Sequence, residues 1–324
     1  MTSKAKMEQT LMLGKKKFSR FAGKFFLYVM LLSLSYVFLY PILYMFITSI
    51  KDMSDMMDRT VNWIPNRIML KNYTVALSII KFEVGFKNSV VITLLSTLGH
   101  VTAASFIGYG FARYKFPGVN LLFAIVILNI IIPTQVIIVP LFYQFTQIFN
   151  LMDSNLPIII PTFFGYGLRG GLYIFLFRQF FMNLPKELEE SASIDGCGKI
   201  GTHFRIILPI SVPVTLVCVV LSMVWHWNDH FEPMVYLFTP PKQTLMQSLP
   251  TLLLDLQRIM QSIIEGEWGY VPFPREIAEL FIREMSLDSV MMAALNICIA
   301  PVLLLYVILQ KRFVQGIETA GLKA

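Results

Sequence analysis

Apolar residues in this chain gather in long blocks rather than alternating with polar ones. Six blocks stand out: Phe25–Ile50, Asn88–Ala112, Val119–Phe142, Leu156–Phe181, Ile206–Trp227 and Ser289–Gln310. Each is close to the roughly 20 residues that a helix needs to cross a hydrocarbon core. In lipid every backbone N–H must find its partner within the segment, so the blocks predict helices. The expectation is an all-α membrane protein with six transmembrane helices. The first block follows Lys15, Lys16, Lys17, Arg20 and Lys24, as a signal peptide would. At about 39 Å by helical rise it is too long for one, and it lacks a small-x-small cleavage site, so it predicts an anchor.

Composition agrees with this reading. Of 324 residues 56% are hydrophobic and 15% charged, too few charges for an ordinary soluble surface. The net charge of +7 does not point to nucleic acid, because the basic residues concentrate in alternate loops. They crowd the N-terminal tail, Arg113–Lys115, the loop around Lys199 and the C-terminal tail. The positive-inside bias then puts the tails 1–24 and 313–324 and the loop 185–205 in the cytoplasm, and 51–87 and 239–288 outside. The outer segments also hold Lys and Arg mixed with acids, so the bias is moderate. Cys197, Cys218 and Cys298 have neither ligand-like nor disulfide-framework spacing.

One cytoplasmic loop is out of character. Residues 187–209 read ELEESASIDGCGKIGTHFRIILP, polar and punctuated by glycine. Pro185 opens a helix without cost, Glu187, Glu189 and Glu190 suit its first turn, and Gly196 suits a left-handed exit. Leu184, Leu188 and Ala192 share one face. A second short helix over Lys199–Arg205 leads to Pro209, which can kink the next span. Gly196–Gly201 satisfies G-x-G-x-x-G but follows an acidic helical segment instead of a strand, and Gly198-Lys199 precedes Ile200 where a phosphate loop needs Ser or Thr. Neither reads as a nucleotide site. On spacing alone, a solvated connector explains the loop equally well.

The loop resembles the cytoplasmic signature of ABC-importer permeases: Glu190-Ser191-Ala192, then Gly196, then Ile206-Ile207-Leu208-Pro209, with Ser191 where Ala is usual. The resemblance extends over most of the chain and narrows to the smaller, second permease of maltose-type carbohydrate importers. Asn88-Ser89, Gly108–Gly118, Ile132-Pro133, Phe177–Phe181, Trp227-Asn228-Asp229 with Pro233, and Phe313–Gly316 carry it. The resemblance implies a type I ABC importer permease fold, with a core over about 84–310 and a coupling helix in the 185–205 loop. It implies a non-catalytic subunit in a bacterial plasma membrane, paired with a homologous second permease, a cytoplasmic ATPase dimer and an extracellular solute-binding protein. MgATP then belongs to the ATPase, and no cofactor is expected in this chain. Coupling is expected from Glu187, Leu188, Glu190, Ser191, Ala192, Asp195, Gly196, Ile206, Leu208 and Pro209. The segment Asp255–Asp288, amphipathic around 277–282, is longer and more charged than the family pattern.

Other constellations leave alternatives open. His226 and His230 bracket Asp229 at i, i+4, as in a metallopeptidase, but no third ligand follows. Arg169 lies among Gly165, Gly167, Gly170 and Gly171 inside the fourth block, and such an Arg either faces a cavity or snorkels to water. Arg169, Trp225, Trp227, Asn228 and Asp229 are candidates for a solute passage, with Tyr143 and Tyr236 as further aromatics. A permease for a non-sugar solute is the nearest rival. A stand-alone secondary transporter would want inverted repeats or paired intramembrane carboxylates, which the spans do not show.

Overall fold

All six apolar blocks are helical, but only three are unbroken. The structure, a computed structural model, describes the backbone of residues 3–321 and the side chains of residues 21–311. The unbroken helices are α1 (Ser3–Ser49), α2 (Phe82–Arg113) and, last in the chain, α12 (Leu287–Gly321). Helix α1 runs on through the basic segment expected to be a separate tail. The side chains of Lys15, Lys16, Lys17, Arg20 and of Phe313–Gly316 lie outside the described ones.

Each break has a local cause. The third block divides into α3 (Val119–Ile131) and α4 (Thr134–Tyr143), bent by 101° at Ile132-Pro133. Pro133 has no N–H and drives Ile132 to extended backbone, here ψ 117°. The fourth block is a helical turn at Leu156–Ile159 and a 3₁₀ turn at Ile160–Phe164, followed by a non-helical stretch before α5 (Gly170–Met182). Gly165, Gly167 and Arg169 take positive φ there, the last at 62°. Glu190-Ser191-Ala192 lie in α6 (Glu187–Ile194), Gly196 lies in the turn that leads to α7 (Lys199–Thr202), and Ile206–Pro209 lie beyond it. The fifth span starts later than its hydropathy suggests. Residues His203–Ile207 form a π turn, and a bend of 79° precedes α8 (Val212–Asn228), where Pro213 cannot donate back along the helix. Then come α9 (Phe231–Tyr236), α10 (Leu252–Glu265) and α11 (Arg275–Glu284). No strand occurs among the described residues.

The chain forms two compact units. The first comprises the chain to Thr74 together with Arg275–Asn296. Polar side chains tie it together: Asn72 donates to the Ser49 and Lys51 carbonyls at 2.9 Å, and Lys51 Nζ donates to the Val61 carbonyl at 2.7 Å. Asn296 donates to the Met45 carbonyl at 3.2 Å, and Arg67 pairs with Glu284 at 2.7 Å. From residue 21 to its last turns α1 is exposed and apolar, suited to lipid or to another chain. The expected outer segment 239–288 is thus divided, α10 falling in one unit and α11 in the other.

The second unit, Val75–Pro274 with Ile297 onward, is organised by α2. The helix is about 48 Å long by its rise, and residues 156–182 and α8 pack along it. Tyr173, Phe177 and Phe181 of α5 are fully buried with Ala104, Tyr109, Ile207 and Cys218. Their close approach depends on glycine. A Cβ on Gly108 would lie 2.8 Å from Phe177 Cβ and 3.0 Å from the Arg178 backbone nitrogen, and one on Gly99 would overlap Thr162 Oγ1. A Cβ on Gly110 meets nothing within 4 Å. Gly108→Ala is therefore expected to destabilise the unit by about 1–3 kcal/mol through overpacking. Gly110→Ala should leave it unchanged or slightly firmer. Thermal unfolding of the two variants in the same detergent checks this, and equal midpoints would contradict the packing argument.

Candidate functional site

Residues 187–202 form an elbow of two short helices. The first, α6, begins among three acidic residues that complement its N-terminal dipole. It ends in a Schellman motif: Cys197 N–H donates to the Ala192 carbonyl at 2.9 Å and Gly196 N–H to the Ser193 carbonyl at 3.1 Å. Gly196 holds φ +75°, as its place in the sequence predicts, with open space where a Cβ would stand. The second arm, α7, starts from extended Gly198 and runs straight on through the π turn His203–Ile207, so the helical segment covers the expected Lys199–Arg205 and continues to Ile210.

The predicted coupling residues divide between two faces. Ala192 is buried and Leu188 half-buried, so the face shared with Leu184 points into the chain. Glu187, Glu190, Ser191, Asp195 and Gly196 are exposed. Ile206 and Leu208 are half-buried and belong to the approach to α8, with Pro209 exposed beside them. Sequence reasoning missed Ile194 and Ile200, which stand on either side of the turn at 87% and 71% exposure. Ile194 lies off the face shared by Leu184, Leu188 and Ala192, and Ile200 is the one large apolar residue of α7; that placement was the available signal. It also missed Glu189 as a partner of Arg113: Arg113 Nε lies 2.7 Å from Glu189 Oε1. No local pattern links residues so distant in sequence.

A cavity of about 440 Å³ lies where three helix breaks meet. The Ile132-Pro133 bend, the Gly165–Arg169 interruption and the end of α8 at Asn228-Asp229 all contribute to its wall. Arg169, Trp225, Asn228 and Asp229 line it together, as does Tyr236. The Arg169 guanidinium rests 4.5 Å from the centre of the Trp225 ring, a cation–π contact. Trp227 departs from expectation. Its Nε1 donates to the Cys298 carbonyl at 2.9 Å and its ring meets Phe86 edge-on, so it is buried away from the cavity. Successive residues on a helix face different ways, so Trp225 and Trp227 cannot both face the cavity. Tyr143 is exposed and does not line it.

The cavity wall also carries Asn129, Gln135 and Glu232, which the sequence did not single out, and His230, which it singled out only as a possible metal ligand. Asp229 Oδ1 accepts from Phe231 N–H at 3.0 Å and so starts α9, while Oδ2 is buried with no hydrogen-bond partner. Burial raises the pKa of Asp229. Burial, and then the neighbouring Asp229 carboxylate, push Glu232 up to about 8. Both causes favour the protonated form of Glu232. Behind the cavity, buried His226 Nε2 and His100 Nδ1 lie 3.1 Å apart, so one ring donates to the other across α8 and α2. The bracketing histidines are thus separated: His226 is turned to α2, and His230 faces the cavity. No group of three metal-binding side chains occurs among the described residues.

The family described as binding-protein-dependent transport system inner membrane component matches residues 100–319. A probable ABC transporter permease of Pyrococcus horikoshii is 32% identical over 222 residues, covering 68% of this chain and 79% of that protein. The arabinooligosaccharides transport system permease of Bacillus subtilis is 29% identical over 301 residues, covering 92% and 94%. In fold, the chain is similar to a chain of a bacterial ABC transporter involved in the import of the acidic polysaccharide alginate. That likeness has a TM-score of 0.71 at 22% identity and covers 88% of this chain and 94% of the other. With more than half its length matched, the chain belongs to the family of inner membrane components of binding-protein-dependent transport systems.

Proposed function

We propose that this chain is one permease of a heterodimeric, ATP-driven importer for a sugar or oligosaccharide, with the 187–202 elbow as its contact with a cytoplasmic ATPase dimer. The observation that carries the reading is the elbow itself. It is a projecting pair of short helices bearing two exposed isoleucines, Ile194 and Ile200, on an otherwise polar surface. Apolar side chains so exposed on a projecting turn suit insertion into a partner's groove. Both chain termini and the 185–205 loop then lie in the cytoplasm, and 239–288 lies outside, where a solute-binding protein delivers its load. The permease core spans about 84–310. MgATP is held by the partner, and this chain hydrolyses nothing.

Sugar is favoured over other solutes by the relatives. Besides the arabinooligosaccharides permease, the chain resembles a probable permease for starch degradation products from Thermoanaerobacterium thermosulfurigenes, at 26% identity over 290 residues. The cavity fits that chemistry. Arg169, Asn129 and Gln135 offer donors, Asp229 offers an unpaired acceptor, and Trp225 adds an aromatic surface. A cavity formed at helix breaks is also where backbone polar groups are free to meet a hydrated solute.

In the assembled importer, Ile194→Asp should weaken ATPase association by about 1–3 kcal/mol, the value of burying such a side chain. Membrane abundance should be normal, and intact co-purification of the ATPase would refute the assignment. Gly196→Ala introduces a Cβ at positive φ, costing about 1 kcal/mol, whereas Gly198→Ala meets ordinary backbone. Uptake of labelled arabinotriose or maltotriose should therefore fall more for the first variant than for the second. For Glu232, the proton is retained below about pH 8 and lost above it, which leaves two carboxylates at one wall. Uptake by the wild-type chain should decline as pH rises through about 8, and Glu232→Gln should remove that inflection. A profile identical for both chains would remove Glu232 from the passage.

A further inference from the structure

Force applied to an elbow reaches a helix bundle only if its connections do not absorb it. The chain connections here are poorly suited to transmission. On one side α6 joins α5 through the non-helical residues 183–186, and on the other α7 continues into a π turn and the 79° bend before α8. Both are places where backbone angles can give way.

The end of α2 supplies stiffer links. Arg113, in its last turn, has a side chain only 5% exposed; its Nε lies 2.7 Å from Glu189 of α6, and its NH2 group donates to the Leu184 carbonyl at 2.8 Å. The next residue, Tyr114, has Lys199 Nζ of α7 4.9 Å from its ring centre, and Tyr109 meets it edge-on at 5.8 Å. Two consecutive residues of one helix end therefore hold both arms of the elbow. Because the Arg113 charge is nearly buried, loss of its partner leaves it uncompensated, so the contact resists separation more than a surface pair does. Helix α2 is unbroken from Arg113 past His100, which lies behind the cavity, to Asn88. There Asn88 donates to the Pro241 and Gln243 carbonyls at 3.0 Å.

We propose that Arg113 and Tyr114 are positioning residues that deliver displacement of the elbow to α2, and through α2 to the cavity. The inference rests on the coupling role proposed above for 187–202. Its sharpest element is the Arg113–Glu189 pair: the elbow is clamped to α2 by opposite charges, so the cavity follows the ATPase.

The test uses the full importer in right-side-out membrane vesicles loaded with ATP. A cavity thiol, Gln135→Cys in a Cys197→Ser background, is labelled with a membrane-impermeant maleimide. In that reference chain, ATP with vanadate should change the labelling rate by about fivefold or more, the usual scale of coupling between sites. Arg113→Glu and Glu189→Arg, made singly, should abolish the change while ATP hydrolysis persists. The double swap Arg113→Glu/Glu189→Arg should restore it. Tyr114→Leu, which removes the ring face but keeps an apolar side chain, should reduce it. If a single variant is lost from the membrane, the swap still decides: recovered labelling response supports the clamp, and an assembled swap without response overturns it. Singles that retain the full response also overturn it. Ile194→Asp in the same background separates the two readings. If it abolishes the response while the 113 and 189 variants do not, the clamp alone is wrong. If it too leaves the response intact, the coupling role of the elbow falls as well.

Discussion

The close approach of α2 to residues 156–182 is the contact on which the second unit depends. Where two helices pack in lipid, no hydrophobic driving force separates the paired from the unpaired state, so van der Waals fit decides. Gly99 and Gly108 remove the side chains that would hold the neighbouring chain away, and Phe177 then lies directly over the α2 backbone. The elements proposed to be functional in this unit all touch or lie behind that helix. Its Arg113 end meets the elbow, His100 stands behind the cavity, and Asn88 and Ser89 reach the segment after α9, where Leu245 N–H donates to Ser89 Oγ at 3.0 Å.

Beside this unbroken rod three spans are interrupted, and the interruptions converge. A broken helix inside a bilayer leaves backbone groups that need partners, a cost tolerated where the break lines a water-filled cavity. The bend at Pro133, the interruption at Gly165–Arg169 and the end of α8 share one cavity, so a single pool of polar partners can satisfy three sets of backbone groups. The same logic places the ionisable side chains. Arg169 would be costly facing lipid, and it lies instead against Trp225 at the cavity wall. Asp229 and Glu232 cannot both be charged cheaply at one wall, and Glu232, the more deeply buried, keeps its proton.

Much of this was legible in the sequence, because membrane insertion leaves a strong one-dimensional trace. Hydropathy located the six apolar blocks, the 165–171 glycines marked one break, and Gly196 marked the elbow's turn, whereas the bend at Pro133 was not read from the sequence. The late start of α8 was legible only in part: Pro209 marked a kink at the start of the fifth span, but Ile206–Ile210 are as apolar as the residues that follow, and hydropathy cannot register a bend between two apolar helices. Side-chain direction was also beyond reach at helix ends. Trp225 and Trp227 look equivalent as letters, but one lines the cavity and the other donates to Cys298. Contacts between distant segments, Arg113 with Glu189 and His100 with His226, carry no local period. They appear only once α2 is packed against its neighbours.

The elbow illustrates why such contacts matter more than the signature's own letters. A helix of eight residues, as α6 is, is too short to persist in water by itself, since nucleation outweighs the few hydrogen bonds gained. Its acidic first turn and Schellman exit help locally, but tertiary contacts must supply the remainder. Buried Ala192 and half-buried Leu188 provide an apolar seat, and Arg113 fixes the first turn through Glu189. Ala192 of the signature therefore acts inward, letting the helix sit close to the chain, while Ile194 and Ile200 are exposed. A shape set on one side by charge and on the other by two exposed apolar side chains keeps its internal geometry when it is pushed. That rigidity is what a rigid-body rearrangement of packed helices requires of its point of attachment.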